Sequence, residues 1–391
     1  MTAPITAGLF TEFRLKSLVF KNRFVLPGMQ RGWCEDGAPS DRLTDYYLRR
    51  LEGGVGLIIS ESVAVDHASA TRTAMFARLC AKTVDRWAAC VGRIRDNGGR
   101  MMLQLWHEGG MRIEGGNGPY ATSPTLSPSG LAYRGKANGR AASADELAAI
   151  RDGFVRSALF AKQAGADGVE IHGAHGYLLD QFLWPVTNRR SDGYGGDDIA
   201  ARVRFPAEVV AAIRKACGFE FVISFRFSQW KEADFAARIA ENPEELGIMV
   251  RTLRDAGVDL LHASTRRFWQ PEWPGSSLNL AGWAKRLSGL PVITVGSIGL
   301  DVDVMETFLG KEGSASAQGS FENLVQRYAA GEFDLVAVGR GQIGDPDWVN
   351  KVRDGRFEDI RVFQRADLGV LEAEASLIEE AIRAEGHADS Q

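Results

Sequence analysis

Eight short apolar runs, each bounded by glycine or polar residues, recur along the chain at 24–29, 56–63, 101–106, 168–172, 221–227, 259–263, 291–295 and 333–338. They are rich in Val, Ile, Leu and Phe with little polar alternation, the pattern of strands buried on both faces. Between them lie segments of helical periodicity such as SADELAAIRDGFVRSALFAKQAGA and NPEELGIMVRTLRDAGV. Their openings, Ser143-x-x-Glu146 and Asn242-Pro243-x-Glu245, are capping signals that satisfy the free N–H groups of a first helical turn. Strand and helix alternating eight times imply a parallel sheet, because parallel neighbours need a long crossover. The predicted fold is an α/β closed (β/α)8 barrel, with an open doubly wound sheet as the structural alternative.

A barrel of this kind takes about 250 residues, and the sequence has 391. The surplus has recognisable places. Residues 9–20 read as an N-terminal hairpin closing the bottom of the barrel, and 109–142, rich in Gly, Ser and Pro, as a long loop after the third strand. Residues 266–283 follow the sixth strand and carry Phe268, Trp269, Trp273 and Trp283, which are expected either to pack the loop or, as their position favours, to wall a pocket. A further insertion is expected at 305–330. The whole reads as one barrel domain over 1–365 followed by an acidic C-terminal tail, 366–391, of helical character.

Charge and cysteine content narrow the chemistry. Lys and Arg total 46 against 50 Asp and Glu, a net charge of −4, so no basic excess recruits nucleic acid or an anionic membrane surface. No stretch approaches the roughly 18 apolar residues of a membrane helix and the start lacks a leader pattern, so a cytoplasmic protein is expected. Cys34, Cys80, Cys90 and Cys217 share no C-x-x-C spacing, which points away from zinc ribbons and iron–sulfur clusters. Glycine is in excess, 44 residues of 391, against roughly 7% in average proteins.

The unusual polar residues stand at the strand ends: Gln104 and His107, His172 and His175, Arg226, His262, Ser297 and Arg340. In a barrel the carboxyl ends of all strands open on one mouth, so these positions converge on a single site. The densest group is Val169-Glu170-Ile171-His172-Gly173-Ala174-His175-Gly176-Tyr177. Its imidazoles admit three readings: metal ligands lacking an evident third and fourth partner, a structural pair, or donors to a substrate oxygen with Tyr177 as a proton donor. Gly339-Arg340-Gly341-Gln342-Ile343-Gly344 spells G-x-G-x-x-G. It closes the last strand with too little chain after it for a dinucleotide fold, which argues for a phosphate site of another kind.

The run IHGAHGYLLDQFLWPVTNRRSDGYGG resembles the signature of the old yellow enzyme family, flavin-dependent ene-reductases built on a (β/α)8 barrel. The resemblance continues in NRFVLPGM, GLIISES, QLWH, SFRFS, VGSIG and VAVGRGQIGDPDWVNKVRDGR, in order over about residues 9–356. It implies bound FMN, NADH or NADPH as reductant, and a small activated alkene as substrate. His172 and His175 match the family's substrate-binding pair and Tyr177 its proton donor. Pro27, Gly28 and Met29 match the backbone against the flavin, Gln104 the glutamine at its pyrimidine edge, and Arg226 the arginine near N1. Gly296, Ser297, Gly339 and Arg340 match the phosphate site.

Two flavin-side positions depart from the pattern. Gln30 stands where the family has Thr or Cys, and Ser62 where it has Ala or Gly. Larger flavin enzymes with a related barrel carry extra domains and an iron–sulfur cluster, and this sequence is expected to fall outside that branch. The resemblance implies no metal site and allows a homo-oligomer. The alternatives at this point are a metal-dependent barrel hydrolase using the two histidines, or a flavin-binding barrel without ene-reductase turnover.

Overall fold

In the computed structural model, which describes residues 4–115, 120–232, 234–299 and 317–369, eight parallel strands close into a barrel. They are β1 (Phe24–Leu26), β2 (Leu57–Ala64), β3 (Met101–Trp106), β4 (Gly168–His175), β5 (Val222–Lys231), β6 (Leu260–Ser264), β7 (Val292–Val295) and β8 (Leu335–Ala337). Each pairs with the next, and β8 pairs with β1. All eight predicted strands are present and the open-sheet alternative is excluded. The capping signals also work as read. Ser143 and Glu146 form a reciprocal box at the start of the helix Ala144–Gln163, and Asn242 caps Pro243–Ala256 by accepting from Glu245 N–H.

The ends of some strands differ from the apolar runs. β1 stops at Leu26 because Pro27 has no N–H to continue the ladder. β4 and β5 run on through buried polar residues, to His175 and Lys231, with an irregular register between Gly173 and His175.

Side chains two apart on a strand share a face, which divides the barrel interior into layers. The floor is apolar: Val25, Leu57, Ile59, Met102, Val222, Leu260, Ile293 and Leu335 pack together. The expected hairpin, Phe13–Leu15 with Leu18–Phe20, closes this end by inserting Leu15 and Phe20 into the same cluster. One step up, the same inward faces carry Gln104, Glu170, Ser224 and His262, all fully buried. A second, larger apolar layer lies outside the strands, between sheet and helices.

The surplus segments are partly visible. In the 109–142 loop, described except for 116–119, short strands Leu126–Ser127 and Arg140–Ala141 pair with each other. The expected 305–330 insertion lies in part outside the described residues, and its described portion is the helix Ala317–Ala329 with the turn residue that follows it. Of the predicted tail, 370–391 lies outside the described residues. Residues 366–369 are held on the barrel, with Arg31 donating to the carbonyls of Asp367 and Leu368 and Arg42 to that of Gly369. No helix among the described residues is long and apolar enough to cross a membrane.

Candidate active site

A cavity of about 690 Å³ opens at the carboxyl ends of the strands, a size and position suited to a cofactor with a small substrate. Its lining brings together Pro27, Gly28, Met29, Gln30, Ser62, His172, His175, Tyr177, Arg226, Gly296, Ser297, Gly339 and Arg340. These positions span more than three hundred residues of sequence. Of the predicted site residues only Gln104 is absent from the wall. It lies beneath Gly28, where an added Cβ would come within 2.7 Å of Gln104 Nε2 and of Ser60 O. Only glycine permits that approach of backbone to the layer below.

The layer beneath the cavity is a buried polar network. Glu170 accepts from Gln104 Nε2 at 2.8 Å and from Ser224 Oγ at 3.0 Å, and its Oε2 lies 2.8 Å from His262 Nδ1. Ser62 Oγ in turn donates to Gln104 Oε1 at 2.7 Å. Burial pushes the Glu170 carboxyl up, but the His262 N–H and the Arg226 charge more than offset it and hold it below the usual carboxylate range. Burial drives His262 down more than Glu170 draws it up, so the carboxylate carries the charge and Arg226 balances it. Arg226 Nη1 donates to Gly28 O at 3.2 Å. Its Nε, buried, has no protein partner among the described residues.

Three rings stand together on one wall of the cavity. His172 is centred 5.2 Å from His175 and 5.1 Å from Tyr177, in both cases edge to face, and Trp106 backs Tyr177 at 5.3 Å. Ala174 N–H points to His172 Nδ1 at 3.3 Å, so that nitrogen accepts and Nε2 carries the proton. Burial, then the Arg226 charge, lowers His172 to about 3 and holds His175 well below the ordinary imidazole range. Burial, then the nearby Glu232 carboxylate, raises Tyr177. At neutral pH the site therefore presents two uncharged imidazoles and a protonated phenol.

This protonation pattern has a consequence for stability. The unfolded chain binds protons at these histidines near their ordinary value of 6.5 and the folded chain refuses them. Stability is therefore fully present above about pH 6.5 and falls as pH drops below it, by up to about 1.4 kcal/mol per pH unit for each histidine. Urea midpoints measured from pH 7.5 to pH 5 should show this fall, and the double variant His172→Asn/His175→Asn should show a shallower one.

The loop aromatics behave differently from their sequence reading. The four aromatics of 266–283 do not wall the cavity. Phe268 and Trp273 are buried in the outer core and Trp269 and Trp283 pack against it, paired as Phe268 with Trp269 and Trp273 with Trp283. The aromatic wall comes instead from Phe76, Trp106, Tyr133, Trp230 and Phe363. Glu61 acts as an anchor: it accepts from Arg31 N–H at 2.8 Å and holds the Gln30 amide at 3.4 Å, while burial raises it to about 7. His262, expected at the rim, belongs to the buried network, and His107 bonds Ser69 Oγ at 2.9 Å. Gly339–Gly344 ends β8 as the short helix Arg340–Gly344, and Arg340 Nη2 donates to Ser297 Oγ at 3.2 Å. Among the described residues no three His, Cys, Asp or Glu side chains converge as metal ligands.

The arrangement fits a flavin nucleotide. Gly28 lets the cavity's backbone lining settle directly onto Gln104, Arg226 offers a buried donor, and Ser297 with Arg340 supplies further polar groups. Comparison with known proteins agrees. The profile of the NADH:flavin oxidoreductase / NADH oxidase family matches residues 8–359. The chain is 36% identical over 384 residues to an NADH oxidase of Thermoanaerobacter brockii, covering 93% of this chain and 53% of the relative. It is 30% identical over 367 residues to 12-oxophytodienoate reductase 7 of Oryza sativa subsp. japonica, covering 89% and 88%. Among solved structures, morphinone reductase superposes with a TM-score of 0.74 at 26% identity, covering 93% of this chain and 94% of that one. The chain spans about half the length of the first two curated relatives, 53% and 50%. The chain belongs to the NADH:flavin oxidoreductase / NADH oxidase family, the old yellow enzyme family of FMN-binding barrels that use NADH or NADPH.

Proposed function

We propose that this chain is an ene-reductase that passes hydride from NADH or NADPH, through FMN, to the activated C=C of a small α,β-unsaturated carbonyl or nitro compound. The observation that carries this reading is the wall of one cavity on which His172, His175 and Tyr177 meet, with Gly28, Gly296 and Gly339 in the same lining. FMN, when bound, supplies a two-electron carrier that accepts hydride from the nicotinamide and delivers it to the alkene β-carbon. Pro27, Gly28 and Met29 would lie against its ring, with Gln30 and Ser62 beside it. Arg226, with Gln104 beneath, would hold the pyrimidine edge, and Gly296, Ser297, Gly339 and Arg340 the phosphate.

The chain's own groups do the rest. His172 and His175 donate hydrogen bonds to the carbonyl or nitro oxygen and so draw electron density from the alkene. Their neutrality matters, because a neutral imidazole polarises the oxygen without giving up its proton. Tyr177 supplies the proton to the α-carbon. Burial keeps its hydroxyl protonated until that step. Trp106, Trp230 and Tyr133 shape an apolar wall around the alkene. Nicotinamide and alkene would occupy this one cavity in turn, which requires no separate nucleotide domain.

The visible spectrum of the purified protein followed through one anaerobic cycle is the test. The expected result is a yellow protein bleached by NADH or NADPH and recoloured by 2-cyclohexenone. Bleaching without recolouring by enones or nitroalkenes would favour a flavin barrel lacking ene-reductase turnover.

A further inference from the structure

The backbone carrying His175 and Tyr177 makes a turn that side chains disfavour. His175 is left-handed at φ 65° and Gly176 follows at φ 91°. Both polar groups of Gly176 are gripped by the short helix that follows, Leu178–Leu183: its N–H donates to Asp180 Oδ2 at 2.6 Å and its carbonyl accepts from Gln181 Nε2 at 2.7 Å. Asp180 Oδ1 accepts in turn from Lys231 Nζ at 2.8 Å, and Lys231 also donates to Ser228 O at 3.0 Å. Lys231 stands opposite His175 in the β4–β5 register. His175 N–H donates to Ser228 Oγ at 3.0 Å, so the turn is bound to β5 from both sides.

The Asp180–Lys231 pair is sealed, at 0% and 1% side-chain exposure, and neither residue lines the cavity. A pair so buried recovers little of its desolvation cost, and an apolar pair of the same volume would serve packing as well or better. Its placement directly behind a strained turn supplies a reason for charge. Burial pushes Asp180 up to about 6 even with the ammonium beside it, so without Lys231 the carboxyl would rise further and lose its hold as an anion.

We propose that Lys231 and Asp180 are a positioning latch for substrate binding: the ammonium fixes the carboxylate, the carboxylate fixes the Gly176 peptide, and the turn so held aims His175 and Tyr177 into the cavity. Both act through the turn and touch neither substrate nor cofactor. This rests on the ene-reductase reading of the same wall.

The test uses FMN-loaded protein and 4-hydroxybenzaldehyde, a phenol that gives a long-wavelength absorption band when it lies over flavin and bonds the histidine pair. Lys231→Met should weaken the phenol about tenfold, the scale of one displaced hydrogen-bonding group, while FMN affinity by fluorescence titration stays within about twofold. Two charge-neutral double variants then separate latch from scaffold. In Asp180→Asn/Lys231→Met the amide oxygen still accepts from Gly176, and phenol affinity should recover. In Asp180→Ala/Lys231→Met no acceptor remains, and it should stay low. Equal phenol affinity in the two doubles overturns the latch, as does loss of FMN in step with loss of phenol. Should Lys231→Met fail to fold, the two doubles decide alone. A wild-type holoprotein that gives no phenol band overturns the reading of the histidine pair itself, and the latch with it.

Discussion

Replacing Tyr177 by phenylalanine should leave reduction of the FMN-loaded protein by NADH or NADPH near the wild-type rate, while reoxidation by an enone slows by about 10²- to 10⁴-fold, the range for loss of a general acid. The variant is a clean one because the ring keeps its place. Trp106 and His172 pack edge to face against the phenyl ring at 5.3 and 5.1 Å, and these contacts do not involve the hydroxyl. Among the described residues the hydroxyl has no hydrogen-bond partner, so deleting it orphans nothing. The two half-reactions make different demands on this residue. Hydride leaving the nicotinamide needs no proton at a carbon, whereas completing the alkane needs one at the α-carbon. Stopped-flow absorbance at the oxidised flavin band reads both steps separately. Equal slowing of both would assign Tyr177 a packing role, and an unchanged second step would assign the proton to solvent.

The barrel was legible because a strand covered on both faces leaves an unbroken apolar run, and eight such runs alternating with helices imply a parallel sheet, whose closure into a barrel the structure decides. What the runs concealed was the upper part of the strands. β5 continues through Ser228, Gln229 and Lys231, all buried, and polar residues buried in a mouth look like a loop in sequence. Strand-end residues such as His172 and Arg226 were recoverable, since position in a barrel implies convergence. Loop contributions were not. Glu232, Arg266 and Phe363 reach the cavity from segments whose path no spacing encodes.

The partners of buried charges were equally hidden. Lys231 and Asp180 are 51 residues apart and Glu170 and His262 are 92 apart, with nothing local to mark either pair. The aromatics of 266–283 show the converse error. A cluster of tryptophans signals burial, but Trp273 finds its partner in Trp283 and its indole N–H bonds Glu241 O at 2.9 Å. The same composition fits a core as well as a pocket wall.

Glu170 is where the largest loss of stability is expected. Its carboxylate is the common acceptor for Gln104, Ser224 and His262 at zero exposure, and it is the countercharge of Arg226. Glu170→Ala strips three buried donors of their acceptor and leaves a guanidinium without its anion. The cost should be about 3–5 kcal/mol, the scale for breaking a buried ionic network, against a total of roughly 5–15 kcal/mol for a whole domain. Equilibrium urea unfolding would show it as a large fall in midpoint at unchanged slope. Glu170→Gln separates charge from hydrogen bonding: the amide oxygen can still accept from some of the three donors, so the loss should be smaller. In the FMN placement proposed above, loss of the negative charge leaves Arg226 unopposed at the pyrimidine edge, and the midpoint potential should rise. A Glu170→Gln protein with wild-type potential would show that Arg226 is screened from the cofactor. A Glu170→Ala protein of wild-type stability would mean that the layer beneath the cavity is held by the barrel wall and not by its own hydrogen bonds.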